Sequence, residues 1–178
     1  MVSGFNFDNQ PMLAKGFGVV YRSIFGDGKL HGMGITYSGS TLTIAAGWCV
    51  ACGRVAYFPA AYPVSIPGTS GFARVVLTVD LTGSATEDAF QQVTVTVQTA
   101  NAVSGFPPLM TEDVNAGGLK YQIVLCVLQL GSNGVAGIVS IIGDSQPKRT
   151  SRMKLIAGVD YGSALPEDIA DDELFWIV

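Results

Sequence analysis

This sequence contains few charged residues. Only 13% of its 178 residues are charged, about half of the ~25% that is usual in soluble domains. A monomer of 18.6 kDa would keep roughly 8,200 Å² of surface in water, and so few charges cover that area poorly. We therefore expect much of the surface to be buried against other protein chains. The net charge of -4 argues against binding to nucleic acid, which requires clustered Lys and Arg.

Long apolar runs that would cross a membrane are also missing. Two stretches, Gly32 to Gly53 and Tyr121 to Gly143, carry no charge and are long enough to span a bilayer. However, the first is rich in Thr, Ser and Gly, and the second is interrupted by the turn signal Gly131-Ser132-Asn133-Gly134. Both are typical of paired strands, so we expect no membrane insertion. The N-terminus has no basic region, and no secretory signal is predicted.

Histidine and cysteine are scarce, which limits metal and redox chemistry. Cys49 and Cys52 form a CxxC pattern, but a structural zinc site needs four ligands, and only Cys126 and His31 remain. A redox CxxC usually begins a helix, whereas this segment is predicted as strand. We interpret both cysteines as small buried residues in reduced form; a metal or redox role and a disulfide are the alternatives. His31 lies in a polar connection, and we expect no cofactor.

No catalytic constellation stands out. The acidic pairs Glu87-Asp88 and Glu112-Asp113 are adjacent in predicted loops, as is usual for solvated turns. The glycines around Asp27 and Met33 lack the GxGxxG spacing and the preceding strand of a dinucleotide site. We therefore predict that the chain is not an enzyme; a small hydrolase is a third option that lacks an identifiable site.

One helix is predicted near the N-terminus, over residues 11–25. Pro11 suits a first helical turn, Gly26 follows as a stop, and apolar residues recur at steps of three and four. Gly16 and Gly18 weaken this helix but allow close packing. The residues of the apolar face are Leu13, Phe17, Val20, Tyr21 and Ile24.

Beyond His31 the hydrophobic period changes to two, which indicates strands. We predict a loop over Pro59 to Ser70, a second loop over residues 105–118, and a strand buried on both faces from Tyr121 to Leu130. The fold class is mainly β: an antiparallel β-sandwich or barrel preceded by one N-terminal α-helix, with a C-terminal arm. The predicted strand segments are 35–37, 42–44, 48–58, 72–81, 93–97, 121–130 and 135–142.

The end of the sequence changes character. A basic segment, residues 148–154, is followed by an acidic one, residues 167–173, and then by five apolar residues. Such an arm can fold back on its own domain, dock on another subunit or be disordered. The predicted organisation is therefore an N-terminal segment and helix (1–29), a β-sandwich (30–146) and an arm (147–178). The predicted assembly interface consists of Leu13, Phe17, Tyr21, Leu174, Phe175, Trp176, Ile177 and Val178.

The order of short segments along residues 4–145 resembles the N-terminal domain of bacteriophage tail and baseplate proteins, such as the upper baseplate proteins of siphophages of Gram-positive hosts. The segments are Gly4–Asn9, Tyr21–Gly28, Ser38–Gly47, Gly53–Val55, Arg74–Leu81, Pro107–Asp113 and Tyr121–Leu128.

This resemblance implies a virion structural protein, made in the host cytoplasm, that forms trimers or rings and links the tail to receptor-binding proteins. Family members often continue into a coiled coil or receptor-binding domain. Because this sequence stops at Val178, we expect a compact adaptor. The alternative is a carbohydrate-binding β-sandwich at the tail tip that uses exposed aromatic rings, namely those of Tyr57, Phe58 and Tyr62.

Overall fold

The computed structural model describes residues 14–85 and 90–145. The chain divides into two units, Met1–Pro147 and Lys148–Val178, and the second lies outside the described residues, as do Leu13 and the predicted arm. The described part contains one α-helix, ten strands and one short 3-10 helix, Val103–Gly105. These are α1 (Ala14–Ile24), β1 (Gly28–Gly32), β2 (Ile35–Ser38), β3 (Thr41–Ile44), β4 (Gly47–Ala51), β5 (Arg54–Phe58), β6 (Tyr62–Ser65), β7 (Phe72–Asp80), β8 (Val93–Ala100), β9 (Lys120–Gly131) and β10 (Gly134–Ile141).

The strands form three antiparallel sheets, with orders β1-β4-β5, β2-β3-β6 and β10-β9-β7-β8. A single core of buried side chains draws on all three sheets. Its members include Leu42 of β3, Cys49 of β4, Leu77 of β7 and Leu125 of β9. The architecture is therefore a mainly β fold that fits a β-sandwich with an N-terminal helix, which confirms the predicted fold class.

The apolar residues that alternate along β7 lie on its inner face, as predicted. Ala73, Val75, Leu77 and Val79 are all buried in the core, because successive side chains of a strand point to opposite faces. In β9 the run from Leu125 to Leu128 is buried without interruption, so the prediction of a strand covered on both faces is confirmed for this stretch.

Four local predictions were wrong. The predicted loop at Pro59 to Ser70 contains the outer strand β6, which accepts Pro63 because only β3 pairs with it. His31 lies in β1, opposite Trp48, and not in a polar connection.

The predicted strand 48–58 is a hairpin that turns at Cys52 and Gly53. Arg74 and Thr78, expected on a polar face of β7, are each only 9% exposed.

The connection from β8 to β9, residues 101–119, explains the last of these errors. β7 lies between β8 and β9 in the sheet, so this crossover passes over the outer face of β7. Arg74 holds it in place: the guanidinium donates to the carbonyl oxygen of Pro107 at 2.6 Å and to the side-chain oxygen of Gln98, and lies 4.8 Å from the ring centre of Phe106. The crossover then pairs with the start of β9 through Thr111.

Candidate assembly surface

The helix α1 is attached to the β domain through glycine. Gly18 is the buried residue of the helix, and a Cβ there would collide with the side-chain oxygen of Asn115. Gly53, at the tip of the β4–β5 hairpin, has a φ of 75° and lies so close that a Cβ would collide with the carbonyl oxygen of Gly18. Small residues on both sides thus let the helix backbone approach the hairpin backbone.

The hairpin tip itself has an uncommon backbone. Cys52 and Gly53 both have positive φ, 50° and 75°, as a two-residue type I′ turn requires. Cysteine rarely adopts this conformation, and here its surroundings hold it: the side-chain amide of Asn115 donates to the carbonyl oxygen of Cys52 at 2.7 Å, and the Cys52 N–H donates to Asp27 at 2.7 Å.

An ion pair between Arg22 and Asp113 stabilises this helix seat, which we define as Gly18, Arg22, Cys52, Gly53 and Asn115. The Arg22 guanidinium lies 2.9 Å from the Asp113 carboxylate and also contacts the Cys52 sulfur. A hydrogen bond from the Asn115 N–H, together with the charge of Arg22, lowers the pKa of Asp113. The arrangement fixes the helix in position.

The cysteines are buried thiols with raised pKa values. All three cysteines are free and buried, and burial raises the pKa of Cys49 and of Cys126 to about 12. Burial also raises the pKa of Cys52, although Arg22 acts in the opposite direction. At neutral pH Cys49 and Cys126 are therefore protonated, whereas the thiolate is the form that acts as nucleophile and metal ligand. Within residues 14–85 and 90–145, no group of three or more His, Cys, Asp or Glu could hold a metal ion.

Because glycine makes the attachment, the apolar side chains of α1 remain at the surface. Val20, Tyr21 and Ile24 are 40%, 36% and 45% exposed. Phe17 stacks on Tyr21 with 6.3 Å between ring centres, and Tyr21 lies at the same distance from Phe25. Of the predicted assembly residues, the described ones, Phe17 and Tyr21, therefore lie side by side on the helix.

A groove of about 420 Å³ runs beside this face. One wall is the helix, with Phe17 and Tyr21, and the other contains Val55 of β5 and Phe90, which precedes β8. Phe90 is 64% exposed. The helix and the groove together form an apolar surface, which we call the helix surface; Val55 and Phe90 were not predicted from the sequence.

A second apolar feature lies on the outer face of the β1-β4-β5 sheet. Trp48 and Tyr57 are cross-strand partners and stack with 4.0 Å between ring centres. They are 42% and 53% exposed. The prediction that Phe58 is an exposed sugar-binding ring was wrong, because Phe58 faces the core and is 7% exposed. Tyr62 is exposed, but it lies on another sheet with its ring against Phe58.

The described part of the chain has no helix long and apolar enough to cross a membrane. Neither a protein-family model nor a curated protein matches the sequence.

Proposed function

We propose that this chain is a structural, non-catalytic protein of a bacteriophage virion. It acts as a tail or baseplate adaptor that assembles with itself and connects the tail to receptor-binding or fibre proteins. It is made in the host cytoplasm and ends in the particle. The phage assignment comes from the resemblance over residues 4–145.

The observation that carries the assembly role is the outward-facing apolar helix. A surface helix normally turns its apolar stripe to the core, whereas α1 buries a glycine and exposes Val20, Tyr21 and Ile24. Covering the remaining exposed area of each of these side chains contributes about 1 kcal/mol. An apolar surface of this kind, on a chain with 13% charge, is typical of subunits in permanent assemblies.

The assembly role is tested by polar substitution on the helix surface. We expect Val20→Ser/Ile24→Ser to lower the mass of the purified protein measured by light scattering at micromolar concentration. Val139→Ser is the matched control, because Val139 is 51% exposed on β10. An unchanged mass in the double variant, or an equal loss in the control, would contradict an assembly role for the helix.

The apolar segment 174–178 lies outside the described residues and stays a predicted assembly element. Deleting it should leave a β domain with native circular dichroism that assembles poorly. Loss of folding on deletion would assign the segment to the domain core, and normal assembly would remove it from the interface.

The place in the virion is tested on particles. We expect mass spectrometry to find peptides of the chain in purified phage, and an antibody against the chain to label the tail end. Recovery only from the host cytoplasm, with none in particles, would refute the virion assignment.

A second candidate, a carbohydrate-binding module, is favoured by the Trp48–Tyr57 pair. Aromatic faces stack on sugar rings, and Trp48 supplies a fluorescence signal for titration. Quenching of Trp48 by host cell-wall glycans that Tyr57→Ala weakens would support this role. Absence of any glycan response would contradict this role.

A further inference from the structure

The strand β8 is an outer strand of the four-stranded sheet, and within residues 14–85 and 90–145 its edge lacks the usual protection. Native edges carry charges, prolines or bulges that prevent pairing with other chains. β8 has no charged residue and no proline, and it pairs with β7 over its full length without a register shift. The opposite outer strand, β10, has two register shifts, and the outer strands of the smaller sheets are only four or five residues long.

The hydrogen bonds next to β8 show which of its backbone groups face outward. The Asp80 N–H donates to the Gln92 carbonyl oxygen at 2.9 Å, so these residues form a hydrogen-bonded pair. Hydrogen-bonded and non-hydrogen-bonded pairs alternate along an antiparallel ladder. Val93, Val95 and Val97 are therefore in non-hydrogen-bonded pairs with β7, and their N–H and C=O groups point to the open edge. Within residues 14–85 and 90–145, no partner reaches these groups.

The sequence of this edge matches that of a second, antiparallel copy of the same strand. Residues 93–97 read Val-Thr-Val-Thr-Val, which is the same in both directions. An antiparallel second copy centred on Val95 therefore places Val opposite Val on the inner face and Thr opposite Thr on the outer face. Cross-strand pairs of β-branched residues are favourable, and a two-fold interface requires a self-complementary surface.

The centre of the palindrome is also a residue whose backbone groups point to the open edge. The centre of the palindrome, Val95, has outward-pointing backbone groups, so Val95 and its copy would exchange both hydrogen bonds, as would Val93 with the copy of Val97. Centring on Thr94 or Thr96 would also let outward-pointing valine groups exchange hydrogen bonds, but it would match only three residues of the palindrome instead of five. The half-buried side chains of Val93, Val95 and Val97, which pack against the core, would lose their remaining exposure.

We propose that two copies of this chain pair through β8, antiparallel and centred on Val95, so that two four-stranded sheets join into one. This pairing does not depend on a place in a virion, and it uses the backbone edge of β8, although the Val93 side chain also lines the groove beside the helix. The substitutions Val20→Ser/Ile24→Ser, which lie on α1, should therefore leave pairs of copies intact.

Charge changes on the outer face of β8 test the register. Thr94 and Thr96 are exposed, and each faces the other across the proposed axis. In Thr94→Lys/Thr96→Lys every such contact joins two lysines, whereas in the matched Thr94→Lys/Thr96→Glu every contact joins a lysine and a glutamate. Like charges directly opposite are unfavourable and opposite charges favourable. We expect the first variant to raise the dissociation constant of the pair roughly tenfold or more, and the second to keep it near the wild-type value.

The readouts are the mass by analytical ultracentrifugation and amide hydrogen exchange of the full chain. We expect pairs of the 18.6 kDa chain, with Val93, Val95 and Val97 amides protected in the wild type and exchanging fast in the Lys/Lys variant. Protected Thr94 and Thr96 positions, which bond to β7, show that each variant is folded. Fast exchange at Val95 in the assembled wild type would overturn the proposal. So would undiminished pairing of the Lys/Lys variant, or equal dissociation of the Lys/Glu variant.

Discussion

Replacing Gly18 by alanine tests how α1 is held. On helix propensity alone this change should stabilise the protein by about 1 kcal/mol. The structure predicts the opposite sign, because the new methyl group meets the side-chain oxygen of Asn115. Displacing Asn115 breaks its hydrogen bond to the buried Cys52 carbonyl oxygen, at about 1–3 kcal/mol, and overpacking adds about 1–3 kcal/mol. The net expectation is a loss of about 1–5 kcal/mol.

Urea unfolding at a fixed protein concentration measures this loss. Val19→Ala is the matched control, since Val19 lies on the same helix and is 50% exposed; it should change the free energy of unfolding by less than about 0.5 kcal/mol. In an Asn115→Ala background the Gly18→Ala change should cost at least about 1 kcal/mol less, because the collision partner is gone. A Gly18→Ala variant as stable as the wild type, or additivity in the double variant, would refute the proposed seat.

Three further predictions concern other contacts. Because burial raises the pKa of Cys49 and of Cys126 to about 12, a thiol reagent at pH 8 should react with the native protein far more slowly than with the unfolded one; stoichiometric labelling within seconds would contradict this. Arg74→Ala should lower the free energy of unfolding by about 2–4 kcal/mol, since the crossover loses its cation–π contact and hydrogen bonds; a thermal melt with an unchanged Tm would argue against this role. Hydrogen bonds from Thr82 and the ion pair with Lys120 lower the pKa of Asp80 to about 2, so the carboxylate stabilises the fold above about pH 4, and this contribution disappears as the pH falls towards 2. Asp80→Asn should therefore flatten acid unfolding in that window, and an unchanged acid-unfolding curve would count against the pKa shift.

Periodicity was enough to predict the strands whose two faces differ. The alternation from Ala73 to Val79 identified the inner face of β7 because the core selects apolar residues there. The same reasoning failed for Arg74 and Thr78. Periodicity predicts that a polar residue in a strand faces solvent, even where a segment distant in sequence covers it. Nothing local in the sequence shows that the crossover lies on that face.

The candidate surfaces were predicted only in part for a similar reason. Phe17 and Tyr21 follow from the helical period, but Phe90 and Val55 join them only through the tertiary fold. The Trp48–Tyr57 pair had a usable signal: taking Cys52-Gly53 as a two-residue turn puts these rings opposite each other. Cysteine is unusual at that turn position, and the hydrophobic period of two indicated one continuous strand over residues 48–58.

The helix seat has a consequence for the order in which the molecule can form. Its parts come from three distant places in the chain: α1, the β4–β5 hairpin and Asn115 in the crossover. During synthesis α1 leaves the ribosome first, whereas Asn115 follows about 5–20 s later at usual elongation rates. Throughout that interval the helix has no seat to occupy, and its apolar side chains are open to other nascent chains. Copies made on one messenger are therefore exposed to one another through α1 before any of them has completed its own β domain.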